Sequence, residues 1–321
     1  MHRSTHEEVE LDLVVARRSD VADRVIALEL RDPAGRTLPA WTPGAHIDLL
    51  LGDGIERQYS LCGDDTDHTT WRIAVLRELD GRGGSERVHE AVRLGARLRV
   101  RGPRNHFPLE PAQRYLFVAG GIGITPILAM IQHADREGMP WTLAYGGRTR
   151  SSMAFLDELV QRYGDHIAVT TEDESGLLDL PAILDGYRPG TLVYACGPES
   201  LLRAVEDRCV AWPEHTLHLE RFAPKQTGEP VLHESFEVEL ALSGKTITVD
   251  PDTSILRAVE AAGVPVLFSC TEGTCGTCET TVLSGAVDHR DSILTKEEQA
   301  ANDTMMICVS RSACPRLVLE V

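Results

Sequence analysis

No stretch of this sequence approaches the roughly 18 consecutive apolar residues that a membrane-spanning helix requires. The N-terminus carries Glu7, Glu8 and Glu10 and lacks the apolar core of a signal peptide, so the chain is expected in the cytoplasm. Aromatic residues are scarce, at 5%, and cores must therefore rest on Val, Leu, Ile and Ala. Positive charge is also in short supply. The 32 Lys and Arg face 49 Asp and Glu, and a net charge of −17 disfavours nucleic acid and anionic membranes as partners. The 12 histidines show no metal-ligand spacing, and there is no internal repeat or low-complexity tract. Disulfides are not expected among the 8 cysteines of a cytoplasmic chain.

What remains is a chain of 321 residues with 42% hydrophobic content, enough for two or three domains with their own cores. Short apolar-rich runs at Leu11–Arg17, Val25–Arg31, His46–Leu51, Arg57–Leu61, Trp71–Glu78 and Arg97–Arg101 alternate with turn residues. That spacing predicts a small antiparallel β-barrel, interrupted by one helix at Ser85–Val92. From Arg114 strands and helices alternate, which predicts an α/β domain with a parallel sheet covered on both faces. Its helices are expected near Thr125–Arg136, Ser152–Arg162, Leu178–Leu184 and Glu199–Val210. A polar stretch, Ala223–Pro230, reads as a linker. Beyond it come strands at Phe236–Leu242 and Thr246–Val249 and a helix capped by Asp252 or Thr253. The expected division is a barrel at 1–108, an α/β domain at 109–223, a linker at 224–233 and an α+β domain at 234–321.

The last domain holds the strongest chemical signal. Cys270, Cys275 and Cys278 have the x4, x2 spacing of a plant-type [2Fe–2S] loop, with Gly273 and Gly276 flanking Cys275 so that backbone amides turn toward the sulfurs. A fourth thiolate must arrive from a distant strand, and Cys308, within an expected strand at Met305–Ser310, supplies it. Cys314 competes for that place but lies past the strand, beside Pro315. The alternative is a binding protein stabilised by structural zinc, although the second Cys-x2-Cys knuckle usual for zinc is missing. Residues 234–321 also hold 14 Asp and Glu against 6 Lys and Arg, an excess that serves solubility or, as the rival reading, docking of a basic partner.

With these cysteines and the Cys308-Val309-Ser310-Arg311 ending, residues 234–321 resemble a plant-type ferredoxin. The whole chain resembles the phthalate dioxygenase reductase family, whose order is flavin barrel, nicotinamide domain, ferredoxin. The resemblance implies that Arg57-Gln58-Tyr59-Ser60 is a flavin motif. Arg57 would clamp the flavin phosphate, Tyr59 cover the ring system and Ser60 bond near flavin N5. Arg82-Gly83-Gly84-Ser85, before a helix, suits a second phosphate contact. Val75 would line the ring. This pattern favours FMN, with FAD used by related reductases.

In the α/β domain, Gly120-Gly121-Ile122-Gly123-Ile124-Thr125-Pro126 joins a strand to a helix, as a pyrophosphate site requires. Cys196-Gly197-Pro198-Glu199 is the matching second loop, and the resemblance places Cys196 near the nicotinamide. Arg148 and Arg150 follow another strand end and could favour a 2′-phosphate, whereas the resemblance favours NADH. Phe222, in Glu220-Arg221-Phe222, matches a family position that packs on the flavin. The implied activity is an NADH-dependent oxidoreductase that transfers electrons through FMN and a [2Fe–2S] cluster to a terminal oxygenase. That partner would be a Rieske-type hydroxylase or demethylase, with a cytochrome P450 as the second acceptor.

Overall fold

Alternating apolar residues fold the first hundred positions into six antiparallel strands. They are β1 (Val9–Ala22), β2 (Val25–Arg31), β3 (His46–Leu50), β4 (Glu56–Ser60), β5 (Trp71–Leu76) and β6 (Arg97–Arg104), with helix α1 (Gly84–Ala91) between the last two. This is a computed structural model, and it describes residues 9–79, 81, 83–225 and 227–321. Met1–Glu8, Asp80, Arg82 and the linker residue Gln226 lie outside the described residues. The strand order is β4-β3-β6-β1-β2-β5, and a bridge between Leu61 and Ile73 joins the two edges, closing the sheet into a barrel. Leu13, Leu28, Ile47, Leu49, Trp71, Ile73 and Val75 fill its interior.

The alternation that follows produces a parallel sheet. Strands β7 (Arg114–Gly120), β8 (Trp141–Gly147), β9 (Ile167–Thr171), β10 (Thr191–Cys196) and β11 (Leu217–Glu220) stand in the order β11-β10-β7-β8-β9. Helices α2 (Ile124–Arg136), α3 (Leu156–Tyr163), α4 (Glu172–Ser175), α5 (Leu180–Leu184) and α6 (Glu199–Cys209) connect them. The third helix starts later than its composition suggests. Arg150–Ser152 form a tight turn closed by reciprocal Thr149 and Ser152 capping bonds, and α3 begins only at Leu156.

Helix α2 is the seam of this first unit, which ends at Glu220. Its Ala129 belongs to the barrel core, whereas Ile124, Ile127, Leu128 and Ile131 pack in a second cluster that also takes Val25, Ala27 and Ala74 from β2 and β5. Polar latches reinforce the seam. Arg136 donates to Asp65 at 2.7 and 2.9 Å, and Asp23 N donates to Ser151 O at 2.8 Å.

The second unit, Arg221–Val321, has its own core. It contains β12 (Phe236–Leu240), β13 (Lys245–Val249), α7 (Ile255–Ala261), β14 (Glu279–Ser284), β15 (Val287–Asp288), α8 (Lys296–Ala301), β16 (Thr304–Met306), β17 (Arg311–Ser312) and β18 (Arg316–Leu319). The main sheet runs β13-β12-β18-β14-β16, and β15 pairs with β17. Two local expectations change. Ser254, not Asp252 or Thr253, caps α7, accepting from Arg257 N. The strand expected at Met305–Ser310 stops at Met306, because Val309 N and Ser310 N both turn back to Met306 O at 3.2 and 3.0 Å. Cys308 therefore sits in a turn. Among the described residues, no helix is long and apolar enough to cross a membrane.

Candidate functional site

The Arg57 and Gly83-Gly84-Ser85 motifs are distant in sequence and meet at the start of α1. A Cβ on Gly84 would strike the Arg57 guanidinium, lying 2.6 Å from its Cγ and 2.9 Å from its Cδ. Only glycine lets this side chain cross the first turn of the helix. Gly83, at φ 75°, is the N-cap and brings no side chain to the first-turn amides. A guanidinium beside an uncapped helix N-terminus is an arrangement that binds phosphate. Ser85 is otherwise engaged: its Oγ accepts from Glu78 N at 3.0 Å and closes the preceding loop. Arg82 lies outside the described residues.

Strand alternation sorts the rest of the motif. Tyr59 shares the Arg57 face and is partly buried, and that burial pushes its hydroxyl well above the usual range against the Arg57 charge. Gln58 points the other way and donates to Asp48 Oδ1 at 3.2 Å. Ser60 is 5% exposed. The side chain of Val75 is wholly inside the barrel core, and its carbonyl lies 2.9 Å from His89 Nε2.

Asp48 was not singled out by sequence. It is fully buried and takes Arg104 Nη2 at 2.6 Å and Arg101 Nη2 at 2.9 Å. Burial alone would raise its carboxyl, but Arg104 and then His46 and Arg101 hold it below the ordinary carboxylate value. The network ties β4, the strand that carries Arg57 and Tyr59, to β3 and β6. An isolated Asp within a short β run gives no sequence signal for such a role.

At the carboxyl edge of the parallel sheet the two glycine loops interlock. Strands β7 and β10 are neighbours there, pairing Ala119 with Cys196. A Cβ on Gly120 would lie 2.7 Å from Pro198 Cδ and 3.4 Å from Gly197 Cα, and one on Gly197 would lie 3.0 Å from Gly120 N. A Cβ on Gly123 would run into the Cys196 carbonyl and lie 2.7 Å from Gly197 N. Gly121, at φ 52°, has open space above it. Thr125 turns its Oγ1 back to Ile122 O at 3.1 Å, and Thr125 and Pro126 are both buried in the first turn of α2. Open space thus remains above Gly121, where β7 ends and α2 begins, the place where open α/β sheets bind dinucleotides.

Cys196 is fully buried, and burial, followed by the nearby Glu220 charge, raises its thiol well above the ordinary value. The Glu220 carboxyl, at the end of β11, lies 4.0 Å from Cys196 Sγ and is itself raised by burial to about 8. Glu220 appeared in sequence only as the neighbour of Phe222. Its pairing with Cys196 across β10 and β11 gives it a place in the site. Arg148 and Arg150 are exposed. Phe222 lies beyond Glu220, in the second unit, and is 48% exposed.

The second unit gathers the four cysteines. Cys270 interacts with Cys275 and with Cys308, and Cys278 interacts with Cys308. Contact with Cys275, then Cys308, drives the Cys270 thiol down, while contact with Cys270, then Cys278, drives Cys308 up. Among the described residues no three His, Cys, Asp or Glu side chains are arranged around one ion. Cys270 and Cys308 each touch two other thiols, so the four cysteines form one connected group. Backbone amides also point at the sulfurs: Glu272 N and Thr274 N reach Cys270 Sγ at 3.3 and 3.5 Å, and Thr277 N reaches Cys275 Sγ at 3.4 Å. The loop can do this because Gly273 and Gly276 adopt φ of 70° and 73°. Cys314 is turned away, its Sγ accepting from Ala286 N at 3.2 Å.

Residues 238–313 match the 2Fe-2S iron-sulfur cluster binding domain family, and residues 97–211 match the family described as dimethylamine monooxygenase subunit DmmA-like, N-terminal domain. The chain is 45% identical over 302 residues to a phenoxybenzoate dioxygenase subunit beta of Ectopseudomonas oleovorans, covering 94% of each. The solved phthalate dioxygenase reductase, described as a modular structure for electron transfer from pyridine nucleotides to [2Fe-2S], superimposes with a TM-score of 0.72 at 35% identity, covering 97% of this chain and 98% of that one. An intact type IV self-sufficient cytochrome P450 monooxygenase gives a TM-score of 0.91 at 45% identity over 98% of this chain. The chain spans only 41% of that fusion's length. Matched to such relatives over nearly its whole length, the chain belongs to the phthalate dioxygenase reductase-like family, oxidoreductases that serve as reductase subunits of oxygenase systems.

Proposed function

We propose that this chain oxidises NADH and delivers electrons singly to a separate terminal oxygenase, holding FMN in its barrel and a [2Fe–2S] cluster on Cys270, Cys275, Cys278 and Cys308. The observation that carries the reading is the interlock of the Gly120–Gly123 and Cys196–Gly197 loops in a chain whose other unit gathers four thiols. When bound, these groups supply hydride acceptance, the change from two-electron to one-electron transfer, and outward electron passage.

The chain's own residues bind and position. Arg57 and the first turn of α1 would hold one phosphate, which favours FMN over FAD. The amides at the start of α2 would hold the nicotinamide pyrophosphate. Cys196 would offer a protonated, compact thiol to a nicotinamide, and burial raises the Glu220 carboxyl to about 8, so neither would bring a negative charge to that part of the site. Helix α2 packs the two binding regions onto one core, fixing their separation. Glu272 N, Thr274 N and Thr277 N would stabilise thiolates about the irons.

A Rieske-type oxygenase is the first choice of acceptor. The likeness to a self-sufficient P450 favours a P450 as the second. A cytoplasmic setting, where thiols stay reduced and available to a cluster, fits the four gathered cysteines. The decisive experiment is anaerobic titration of the purified protein with NADH, followed by mixing with a Rieske oxygenase or a P450. Flavin and iron–sulfur bands that bleach with NADH and recover with one acceptor are the expected result. A colourless protein would end the reading, and cofactor chromatographing as FAD would end only the FMN assignment.

A further inference from the structure

One buried carboxylate in the second unit has no part in the mechanism above. Asp291 is 2% exposed and lies in the turn between β15 and α8. Its Oδ2 accepts from Ile293 N at 3.1 Å and Leu294 N at 2.8 Å, and its Oδ1 accepts from the Ser310 hydroxyl at 3.4 Å. Ser310 Oγ in turn accepts from Arg290 N at 3.1 Å. Ser310 follows Cys308 by two positions, so this turn is bonded directly to the segment that carries the fourth thiol.

The same turn also meets the three-cysteine loop. Ser292 N donates to Gly273 O at 2.9 Å, and Gly273 stands between Cys270 and Cys275. A Cβ on Gly273 would lie 3.1 Å from Asp291 Cα and 2.6 Å from Val309 Cγ2. Glycine is required there because three segments, one on either side of the thiols and the Asp291 turn, close on the same point. The carboxylate is charged: burial would raise it, but the His289 ring and the Leu294 and Ile293 amides outweigh burial and hold it below the ordinary value.

We propose that Asp291 is a positioning residue for the iron–sulfur centre, holding the Cys308 segment against the Cys270–Cys278 loop and, through its negative charge, keeping the centre hard to reduce. An added electron beside a buried anion is disfavoured by simple Coulomb repulsion, and groups outside the ligand set tune iron–sulfur centres in this way. The inference rests on the four-cysteine assignment.

The test uses the full chain with its cofactors. Asp291→Asn keeps an oxygen for the two amides but removes the charge, and Asp291→Ala removes both. In an anaerobic redox titration followed by electron paramagnetic resonance, Asp291→Asn should shift the cluster potential to less negative values and leave the flavin potential in place. The exposed control Asp303→Asn should move neither. Asp291→Ala should lose iron to a chelator about tenfold faster than the parent chain, the scale on which residues outside the ligand set act. An unchanged cluster potential in Asp291→Asn together with parental iron loss in Asp291→Ala would overturn the proposal. Cys308→Ser separates the two levels. If it bleaches the centre while the Asp291 variants change nothing, only the Asp291 role fails. If it keeps an unaltered resonance, the ligand assignment fails and the Asp291 proposal with it.

Discussion

Gly123→Ala is a single-methyl perturbation at the interlock of the two glycine loops. Its added Cβ would run into the Cys196 carbonyl and stand 2.7 Å from Gly197 N, whereas ordinary contact begins at 3.4 Å. All the atoms it meets are backbone, so no side chain can rotate away. Relief requires the β7–α2 turn and the β10–α6 turn to separate by about an ångström or more. Overpacking of this kind costs about 1–3 kcal/mol, which a domain with this much buried core should survive. The functional cost should be larger, because a displacement near 1 Å in a site built for hydride transfer lowers rates by about 10²-fold. Anaerobic stopped-flow reduction of the bound flavin by NADH is the assay, with flavin content and the iron–sulfur spectrum as controls for folding. Gly138→Ala is the comparison: it has a strained φ of 66° and open space above it but lies past the far end of α2, so it should lose less. A Gly123→Ala protein that keeps its cofactors and reduces flavin at the parental rate would refute the placement of the nicotinamide dinucleotide at these loops.

Further predictions concern the other parts of the chain. Gly84→Ala should push the Arg57 side chain off α1 and release flavin about tenfold more readily, as seen by equilibrium dialysis; retained parental affinity would count against the phosphate clamp. Cys308→Ser should abolish transfer to cytochrome c while NADH still reduces ferricyanide, whereas Cys314→Ser should leave both activities intact. The reverse pattern would reassign the fourth ligand. Burial raises Glu220 from 4.5 to about 8, so the folded chain holds a proton that the unfolded chain has released. Stability contributed by this group should therefore fall as pH rises through that interval, and Glu220→Gln should flatten the slope of urea midpoint against pH. The specificity constant should favour NADH over NADPH. If it does not, Arg148→Ala should restore the preference, since Arg148 is exposed after β8.

The sequence alone determined those features whose signal is local. Strand and helix periods marked the barrel and the parallel sheet, because one buried face per element imposes a period of two or 3.6. The Cys270-x4-Cys275-x2-Cys278 spacing marked the metal domain, because three ligands on one loop must be close in sequence as well as in space. Local hydrogen-bond competition was less legible: Ser254 won the cap of α7, and the chain turned at Met306, leaving Cys308 in a turn instead of a strand. Tertiary structure decided every relation between distant segments. Only packing brings Gly84 under Arg57, locks Gly123 against Cys196, and sets Glu220 beside that thiol. Asp48 and Asp291 are isolated acids that the sequence does not distinguish from solvated ones. What distinguishes them is burial, where a carboxylate persists only if the fold supplies its guanidinium or amide partners, and those come from segments far apart in the chain.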